Sequence, residues 1–389
     1  MNPLARRVSC PYCYHRIDGR RLWYQCTGRG SPGKAGCTPV PDPERERETG
    51  VFEPSRPAFA PPGRGPFSPA KASCATCGSE TGIRVCPCCH TPLSTNFGGS
   101  ASPLIAMVGA KGTGKTVYLH VLAHELLNGT RRRFDADVRA SSGSAKIDVS
   151  SVMNDRALFA QTAQAIGGRR DPFVFEWRRP RRVTGYETTY LSFYDTAGED
   201  LTNIGTTHDL AYLGAADALI LLLDPFMIPH ARDQISLPDT AVGTKESTVD
   251  VVNRVTETLR AAHGIRSSRN IKLPIAVAFA KIDAFFDLLG PDHPLVRQPA
   301  HPSAQYDDVA GQATHEHVRA LLHSWEADDI DAHLRYNYAN FRYFAVSSLG
   351  AAPDYDARAV HVNGVQPFRV DEPLVWLLSQ FGVVRRGGA

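Results

Sequence analysis

The chain has 389 residues, 42% of them hydrophobic, with 43 Lys and Arg against 40 Asp and Glu and a net charge of +3. This length allows two or three domains with one sizeable core. Because positive and negative charges nearly balance, the composition gives no indication that the partner is nucleic acid or an anionic membrane. The longest apolar run, Ala218–Leu223, is too short to cross a bilayer. No apolar stretch typical of a secretory signal follows Arg6 and Arg7. The sequence therefore predicts a cytoplasmic protein.

All nine cysteines lie at or before Cys89, so they are expected to act together in one local part of the structure. In a reducing cytoplasm, metal ligation is a better expectation than disulfides. Cys74-x2-Cys77 and Cys86-x2-Cys89 have the spacing at which two tight turns present four thiolates to Zn²⁺. A looser second zinc set consists of Cys10, Cys13, Cys26 and Cys37. Cys88 is then a spare thiol, and His90 is a neighbour of the metal rather than a ligand.

These spacings predict two zinc ribbons, over residues 1–40 and 73–94, whose metals supply folding free energy on the order of 10 kcal/mol. The Pro- and Arg-rich residues 41–72 are interpreted as an extended linker, so the two ribbons need not touch. Basic and aromatic residues around the first ribbon could stack on single-stranded nucleic acid or bind a protein, and we rank a protein partner first. They are Arg16, Arg20, Arg21, Trp23 and Tyr24.

Beyond Pro103, apolar segments of strand length alternate with segments of helical periodicity. This pattern predicts an α/β domain over residues 103–385, with a mostly parallel sheet flanked by helices. The predicted strands are Leu104–Val108, Phe173–Trp177, Thr189–Tyr194, Ala218–Leu223, Ile275–Ala280 and Tyr343–Val346. The predicted helices are Lys245–His263, Val309–Ala327 and Glu372–Phe381.

A glycine-rich segment that fits the phosphate-binding pattern GxxxxGK[ST] follows the first predicted strand. Its residues are Gly109, Ala110, Lys111, Gly112, Thr113, Gly114, Lys115 and Thr116. Backbone N–H groups of such a loop surround phosphate oxygens, and the next helix adds its positive end. Lys115 is expected to reach the β- and γ-phosphates, and the Thr116 hydroxyl to bind Mg²⁺. The alternative is an ordinary strand-to-helix turn with a solvated Lys115.

Asp195, Thr196, Ala197 and Gly198 follow the strand that ends at Tyr194. We expect Asp195 to hold Mg²⁺ through a water and the Gly198 N–H to sense the γ-phosphate. Asp and Gly are common turn residues, so this signal depends on its order in the chain and on the strand before it.

Ala280-Lys281-Ile282-Asp283 closes another strand and indicates which base is bound. The Asp283 carboxylate can accept two hydrogen bonds from guanine N1–H and the 2-amino group, while the Lys281 stem covers the ring. Adenine lacks this pair of donors, so an unpaired buried carboxylate would disfavour it. The alternative is a charged strand end that faces water. Ser347 and Ser348 are weaker candidates for a last base-contacting loop.

The order of these motifs resembles that of the TRAFAC class of P-loop GTPases. GAKGTGKT, DTAG, AKID and SSL follow one another between Leu104 and about Phe381. Within that class the chain looks like the bacterial double-GTPase type found in multi-gene conflict or signalling systems, because cysteine knuckles precede the GTPase segment and DTAG continues as DTAGED. The resemblance implies a Ras-like P-loop domain, GTP with Mg²⁺, and two conformations of the switch loops.

Two positions depart from the pattern of that class. Ala280 replaces the usual Asn, which removes a contact between the base-recognition loop and the phosphate loop. Glu199 stands where many members have a water-orienting Gln, and a carboxylate there would repel the γ-phosphate, so we expect slow or partner-activated hydrolysis. An arginine could raise that rate by about 10³ to 10⁵, and Arg169 and Arg170 are weak internal candidates. Thr162 is a weak candidate for the first switch threonine.

These residues together predict a GTP-binding switch or slow GTPase whose Lys115, Thr116, Asp195, Gly198 and Glu199 carry the chemistry and whose ribbons bind a partner. One alternative is a zinc-ribbon protein that binds nucleic acid under nucleotide control. Another is an ATPase of a different P-loop class.

Overall fold

The computed structural model describes residues 7–63, 67–94, 97, 101–141, 172–180, 186–195, 207–236, 246–297, 304–354 and 359–387. The chain divides into two compact units. The first unit joins the chain up to residue 104 with residues 139–145 and 165–194, and the second comprises residues 105–138, 146–164 and 195–389.

Short strands and one helix build the N-terminal part of the first unit. The strands are β1 (Arg7–Ser9), β2 (Arg16–Asp18), β3 (Trp23–Gln25), β4 (Ala58–Phe59), β5 (Ala72–Ser73), β6 (Glu80–Thr81), β7 (Arg84–Val85) and β8 (Pro92–Leu93). β1 pairs with β2 and β5 with β6, while a four-stranded sheet has the order β4-β3-β7-β8.

The stretch interpreted as an extended linker is folded where the structure describes it. Helix α1 (Pro43–Thr49) begins at Asp42, whose carboxylate accepts a hydrogen bond from the Arg45 N–H, and it ends at Gly50 in the left-handed conformation. Asp at the N-cap, Pro in the first turn and Gly after the last turn are strong helix boundary signals. The proline content of the segment masked this local pattern, and β4 follows the helix.

A seven-stranded, mostly parallel sheet carries the α/β fold. Its strands are β9 (Leu104–Val108), β10 (Asp137–Ala140), β11 (Phe173–Pro180), β12 (Tyr186–Asp195), β13 (Ala218–Leu223), β14 (Ile275–Phe279) and β16 (Phe341–Ala345). Their order is β10-β11-β12-β9-β13-β14-β16, and a separate pair joins β15 (Tyr306–Asp307) to β17 (Arg386–Gly387). All six predicted strands are present, and the predicted α/β class is confirmed.

Helices flank this sheet. They are α2 (Lys115–Phe134), α3 (Thr207–Ala215), α4 (Pro229–Arg232), α5 (Thr248–His263), α6 (Phe286–Leu289), α7 (Asp308–Ser324), α8 (Asp328–Asn337) and α9 (Glu372–Gln380). The three predicted helices correspond to α5, α7 and α9. α5 starts three residues later than predicted because the Ser247 hydroxyl caps it by accepting from the Val249 N–H.

The core of the second unit lies around β9, β13 and β14. Every residue of these three strands is buried. Parallel strands covered on both faces read as continuous apolar runs, which is why the sequence marked them clearly. Their loops are therefore held on a rigid support.

Candidate functional site

Four loops of the second unit leave the sheet at one edge. β13 pairs in parallel with β9 and with β14, and β14 pairs in parallel with β16. Parallel strands present their carboxyl ends at the same edge, where ligands of open α/β sheets bind. The predicted phosphate loop, base-recognition loop and serine loop thus emerge side by side, together with the loop after β13.

The phosphate loop has backbone features that only glycine allows. A Cβ on Gly109 would lie 2.4 Å from the Leu222 carbonyl oxygen of β13, so the loop passes close to the neighbouring strand. Gly112 and Gly114 have φ of +83° and +85°, in the left-handed region that favours glycine. Gly114 is also the N-cap of α2, and because it has no side chain, it places no side-chain cap on the first turn of the helix.

Lys115 folds back over its own loop. Its Nζ donates to the carbonyl oxygens of Gly109 at 2.7 Å and Ala110 at 2.9 Å, and the residue is 6% exposed. The buried Thr113 hydroxyl also donates to Ala110, at 3.0 Å. The solvated Lys115 of the alternative interpretation is therefore not what the structure has. Lys111 is exposed, and Thr116, in the first turn of α2, is half-buried.

Lys281 connects the base-recognition loop to the phosphate loop. Its Nζ donates to the Gly112 carbonyl oxygen at 3.0 Å and to Asp224 Oδ2 at 2.5 Å. The expectation that Ala280 leaves the two loops without a link is therefore incomplete, since a lysine one residue later supplies one. Sequence reasoning missed Asp224, although a carboxylate directly after the apolar run of β13 was a visible signal.

Asp283 lies beside the serine loop. Burial raises the pKa of its carboxyl group, opposed by hydrogen bonds from Ser347 and from its own backbone and by the charge of Lys281. Ser347 is 1% exposed and Ser348 is half-buried. The Ile282 N–H donates to the Val346 carbonyl oxygen at 3.2 Å, which joins these two loops. The structure thus brings together the predicted base-contacting residues.

The structure describes only part of the predicted motif Asp195–Gly198, which is expected to contact Mg²⁺ and the γ-phosphate. Asp195 is the last residue of β12, at the end of the strand as predicted, but its side chain lies outside the described part of the chain. Gly198, Glu199 and Thr162 lie outside the described residues, as do Arg169 and Arg170. Their roles stay predictions.

The eight cysteines predicted as metal ligands lie in two groups of four. We name as cluster A the fully buried group Cys10, Cys13, Cys86 and Cys89, and as cluster B the group Cys26, Cys37, Cys74 and Cys77, in which Cys37 is half-buried. The sulfurs of each group lie within 4.8 Å of one another.

The sulfur separations fit a tetrahedral metal. In cluster A two Sγ–Sγ distances are 3.8 and 3.7 Å, and in cluster B they are 3.4 and 3.9 Å. Four sulfurs about 2.3 Å from a tetrahedral Zn²⁺ lie about 3.8 Å apart, whereas a disulfide is about 2.05 Å long. The donor set therefore suits zinc, and all of these cysteines are free thiols.

The grouping of ligands by consecutive order in the chain is wrong. Each cluster takes two cysteines from the first half of the region and two from the second, and the four ligands of cluster B lie between the two pairs of cluster A, so the clusters are nested along the chain. The physical reason is strand pairing, because β3 pairs with β7 through Trp23 with Val85 and Tyr24 with Arg84. Both halves consequently belong to one unit rather than to two separate ribbons.

Tight turns aim the sulfurs. Tyr14, Gly78 and His90, each directly after the second cysteine of a pair, have φ of 61°, 70° and 53°. Each donates its N–H to the carbonyl oxygen of the first cysteine of its pair, at 2.8 to 3.0 Å. In the fourth turn, Gly28 donates its N–H to the Cys26 sulfur at 3.3 Å. The backbone itself therefore holds the sulfurs in place.

Local groups adjust the proton affinity of these thiols. Hydrogen bonds from the hydroxyl and backbone of Ser79 lower the pKa of Cys77 to about 5, and the Ser79 Oγ lies 3.0 Å from the Cys77 sulfur. In cluster A, burial raises the pKa of Cys10. Because the thiolate is the ligating form, Cys77 gives up its proton to a metal more readily than Cys10 does.

Cys88 and His90 lie next to cluster A but do not belong to it, as the sequence predicted. The Cys88 N–H donates to the Cys86 sulfur at 3.4 Å. The His90 Nδ1 lies 2.9 Å from Asp42 Oδ2, and its ring stacks on Trp23 with 5.4 Å between ring centroids. His90 thus anchors α1 through its N-cap residue.

Cluster A packs on the β11–β12 hairpin, within the same unit. Val174 of β11 and Tyr190 of β12 belong to the buried core around its cysteines. The Tyr190 ring lies 5.3 Å from that of Phe97, and the Ser94 hydroxyl donates to Glu176. The cysteine module is therefore attached to the strand that ends at Asp195.

The arrangement defines an α/β protein with a glycine-dependent loop after β9 at the sheet edge and two nested four-cysteine clusters. No family model matches the sequence. The chain is similar to a protein of Mycolicibacterium smegmatis named "Putative ESX-1 scaffolding and assembly protein SaeC", with 25% identity over 408 residues that cover 97% of this chain and all of the relative. Among the described residues, no helix is both long and apolar enough to span a membrane.

Proposed function

We propose that this chain is a GTP-binding switch, or a slow GTPase, whose cysteine module holds two zinc ions and binds a protein partner. The observation that carries the proposal is the convergence of Lys115, Lys281, Asp283 and Ser347 at one edge of a parallel sheet, with Lys281 bonded to the phosphate loop. Phosphate-binding and base-binding groups are then within one continuous surface of the second unit.

At the phosphate end, N–H groups of the loop and of the first turn of α2 would hold phosphate oxygens. The Lys115 Nζ donates to the Gly109 and Ala110 carbonyl oxygens. A phosphate is a better partner for an ammonium group than two neutral carbonyls are, so Lys115 would turn toward it. Bound Mg²⁺ would neutralise charge on the phosphates, with the Thr116 hydroxyl as its nearest candidate ligand in the loop.

At the base end, Asp283 would select guanine. Its carboxylate is partly desolvated, as its raised pKa indicates. Two donors from guanine would satisfy it, whereas adenine would leave it unpaired, a difference worth about a hundredfold in affinity. This supports GTP over ATP, and it is the point at which an ATPase of another class would differ.

Turnover is proposed to be slow. Glu199 follows the predicted γ-phosphate sensor, and a carboxylate there repels the phosphate unless a partner neutralises it. A slow intrinsic rate suits a switch that a second protein controls. Single-turnover hydrolysis as fast in isolation as with cellular extract would contradict this part of the proposal.

The cysteine module is proposed as the partner-binding element. The sulfur separations support zinc in both clusters. The relative of 25% identity is named as a scaffolding and assembly protein, which supports a protein partner over nucleic acid. Attachment of cluster A to the β11–β12 hairpin would let a bound partner influence the segment around Asp195.

The test is a titration of fluorescent GDP and ADP analogues, with magnesium, against wild type and Asp283→Asn. Wild type should prefer GDP by about a hundredfold. Asp283→Asn should lose that preference and gain affinity for xanthosine diphosphate, because xanthine replaces the 2-amino donor by an oxygen that an amide can pair with. Asp287→Asn, an exposed change nearby in α6, should behave as wild type.

Gain of xanthine nucleotide binding separates a changed recognition group from a damaged fold. Failure of the wild type to retain any guanine nucleotide would end the proposal, and preference for ADP would favour an ATPase. Retention on single-stranded nucleic acid that falls steeply with salt would favour the nucleic-acid alternative.

A further inference from the structure

A half-buried lysine and a buried aspartate form an ion pair between the loop after β14 and the end of β13. Asp224 follows β13, and its side chain is only 4% exposed. Its Oδ2 accepts from Lys281 Nζ at 2.5 Å, and its Oδ1 accepts from the Phe226 N–H at 3.0 Å. Both carboxylate oxygens therefore have partners that fix the orientation of the side chain.

Lys281 is held from several sides. Besides Asp224, its Nζ donates to the Gly112 carbonyl oxygen at 3.0 Å and lies 4.9 Å from the centroid of the Phe226 ring. Its backbone has a φ of 56°, which is unfavourable for a residue with a side chain. Such a conformation persists only where the surroundings enforce it. The contacts of the Nζ therefore set the position of the loop that carries Asp283.

Ala280 makes this connection necessary. Its methyl group cannot form a hydrogen bond, so it contributes no polar link between the base-recognition loop and the phosphate loop. Asp224 and Lys281 provide a link through charge instead, at a place where a buried carboxylate must keep its partner.

We propose that Asp224 is a positioning residue for guanine recognition, acting through Lys281 to hold Asp283 in register with the phosphate loop. This inference depends on the proposed GTP binding. Asp224 touches no nucleotide in this scheme, so its effect is on the placement of the base contact rather than on the base itself.

The test compares GDP with inosine diphosphate, which lacks the 2-amino donor that pairs with Asp283. The GDP-to-IDP affinity ratio therefore measures the placement of Asp283, whereas simple loss of folded protein lowers both affinities alike. In Asp224→Asn, which keeps the cap on Phe226 but loses the charge, the ratio should fall about tenfold. Asp233→Asn is the matched control, because the Asp233 side chain is 71% exposed on the following segment.

Lys281→Gln and the double variant complete a cycle. If the pair acts as a unit, Lys281→Gln should lower the ratio as Asp224→Asn does, and the double variant should lose no more than either. An unchanged ratio in Asp224→Asn, or equal losses for GDP and IDP, would overturn the inference while leaving GTP binding intact. If the wild type binds no guanine nucleotide, the proposed function fails, and this inference fails with it.

Discussion

Paired cysteine substitutions distinguish nested metal sites from consecutive ones. Cys10 and Cys86 belong to the same cluster, whereas Cys10 and Cys26 belong to different clusters. Cys10→Ser/Cys86→Ser should therefore leave cluster B able to hold one zinc ion, while Cys10→Ser/Cys26→Ser should damage both clusters. Consecutive ribbons would give the opposite pattern, so the two double variants separate the arrangements without any assumption about affinity.

The expected losses are large. Cluster A connects residues 79 positions apart and cluster B residues 51 positions apart. A structural zinc contributes on the order of 10 kcal/mol of folding free energy, so the two clusters together contribute roughly 20 kcal/mol. Loss of both exceeds the roughly 5–15 kcal/mol by which a typical domain is stable. Cys10→Ser/Cys26→Ser should therefore unfold the N-terminal part of the first unit.

The assay is the zinc content per chain, measured by elemental mass spectrometry after gel filtration, with limited proteolysis as the report on folding. Wild type and Cys88→Ser should carry two ions, Cys10→Ser/Cys86→Ser about one, and Cys10→Ser/Cys26→Ser close to none. One retained ion in Cys10→Ser/Cys26→Ser together with none in Cys10→Ser/Cys86→Ser would refute the nested arrangement.

Three further predictions concern the sheet edge, α9 and the hairpin. Gly109→Ala should destabilise the chain by about 1 to 3 kcal/mol in denaturant titrations, because its Cβ would meet a carbonyl oxygen of β13 at 2.4 Å. Gly129→Ala in α2, where the nearest atom is 3.6 Å away, should be neutral or stabilising. Burial raises the pKa of Glu372 to about 7 from 4.5, so its stabilising effect is full below about pH 4.5 and is lost as the pH rises through 7. Glu372→Gln should flatten this decline by up to about 3 kcal/mol, and an equal decline in both proteins between about pH 5 and about pH 8 would contradict the assignment. Tyr190→Ala should speed chelator-driven zinc release from cluster A, while Tyr186→Ala, at a 56% exposed position of the same strand, should not.

The strands of the sheet could be predicted from the sequence, because a strand that is buried on both faces is an uninterrupted apolar run. The bounds of β9 and β13 match the prediction, and those of the other four predicted strands differ by a few residues. Helix α8 (Asp328–Asn337) was not predicted, because its burial depends on few apolar positions, mainly Ile330 and Leu334, within a strongly acidic start. So weak an apolar pattern cannot be distinguished from that of a solvent-exposed segment unless the residues that pack against the helix are known.

The site divides in the same way between local and non-local information. The phosphate loop is contiguous, so its glycines and Lys115 could be recognised together. The proposed role of Asp224 depends on β13 lying between β9 and β14. The order of strands in a sheet cannot be predicted from any single segment of the sequence. The pairing of Cys10 with Cys86 likewise follows from β3 pairing with β7, so spacing within each half could predict the ligands but not their partners.

The β11–β12 hairpin gives a physical reason why a cysteine module would accompany a nucleotide site. Strand β12 runs without a break from Tyr186 to Asp195. Tyr190 is fixed in the core of cluster A, and at about 3.3 Å per residue it lies roughly 17 Å along the strand from Asp195. A paired strand transmits a displacement over such a length with little bending, because its hydrogen bonds to β11 restrain the strand from Tyr186 to Phe193. If the state of the nucleotide displaces Asp195, the paired part of β12, which ends at Phe193, would resist that displacement.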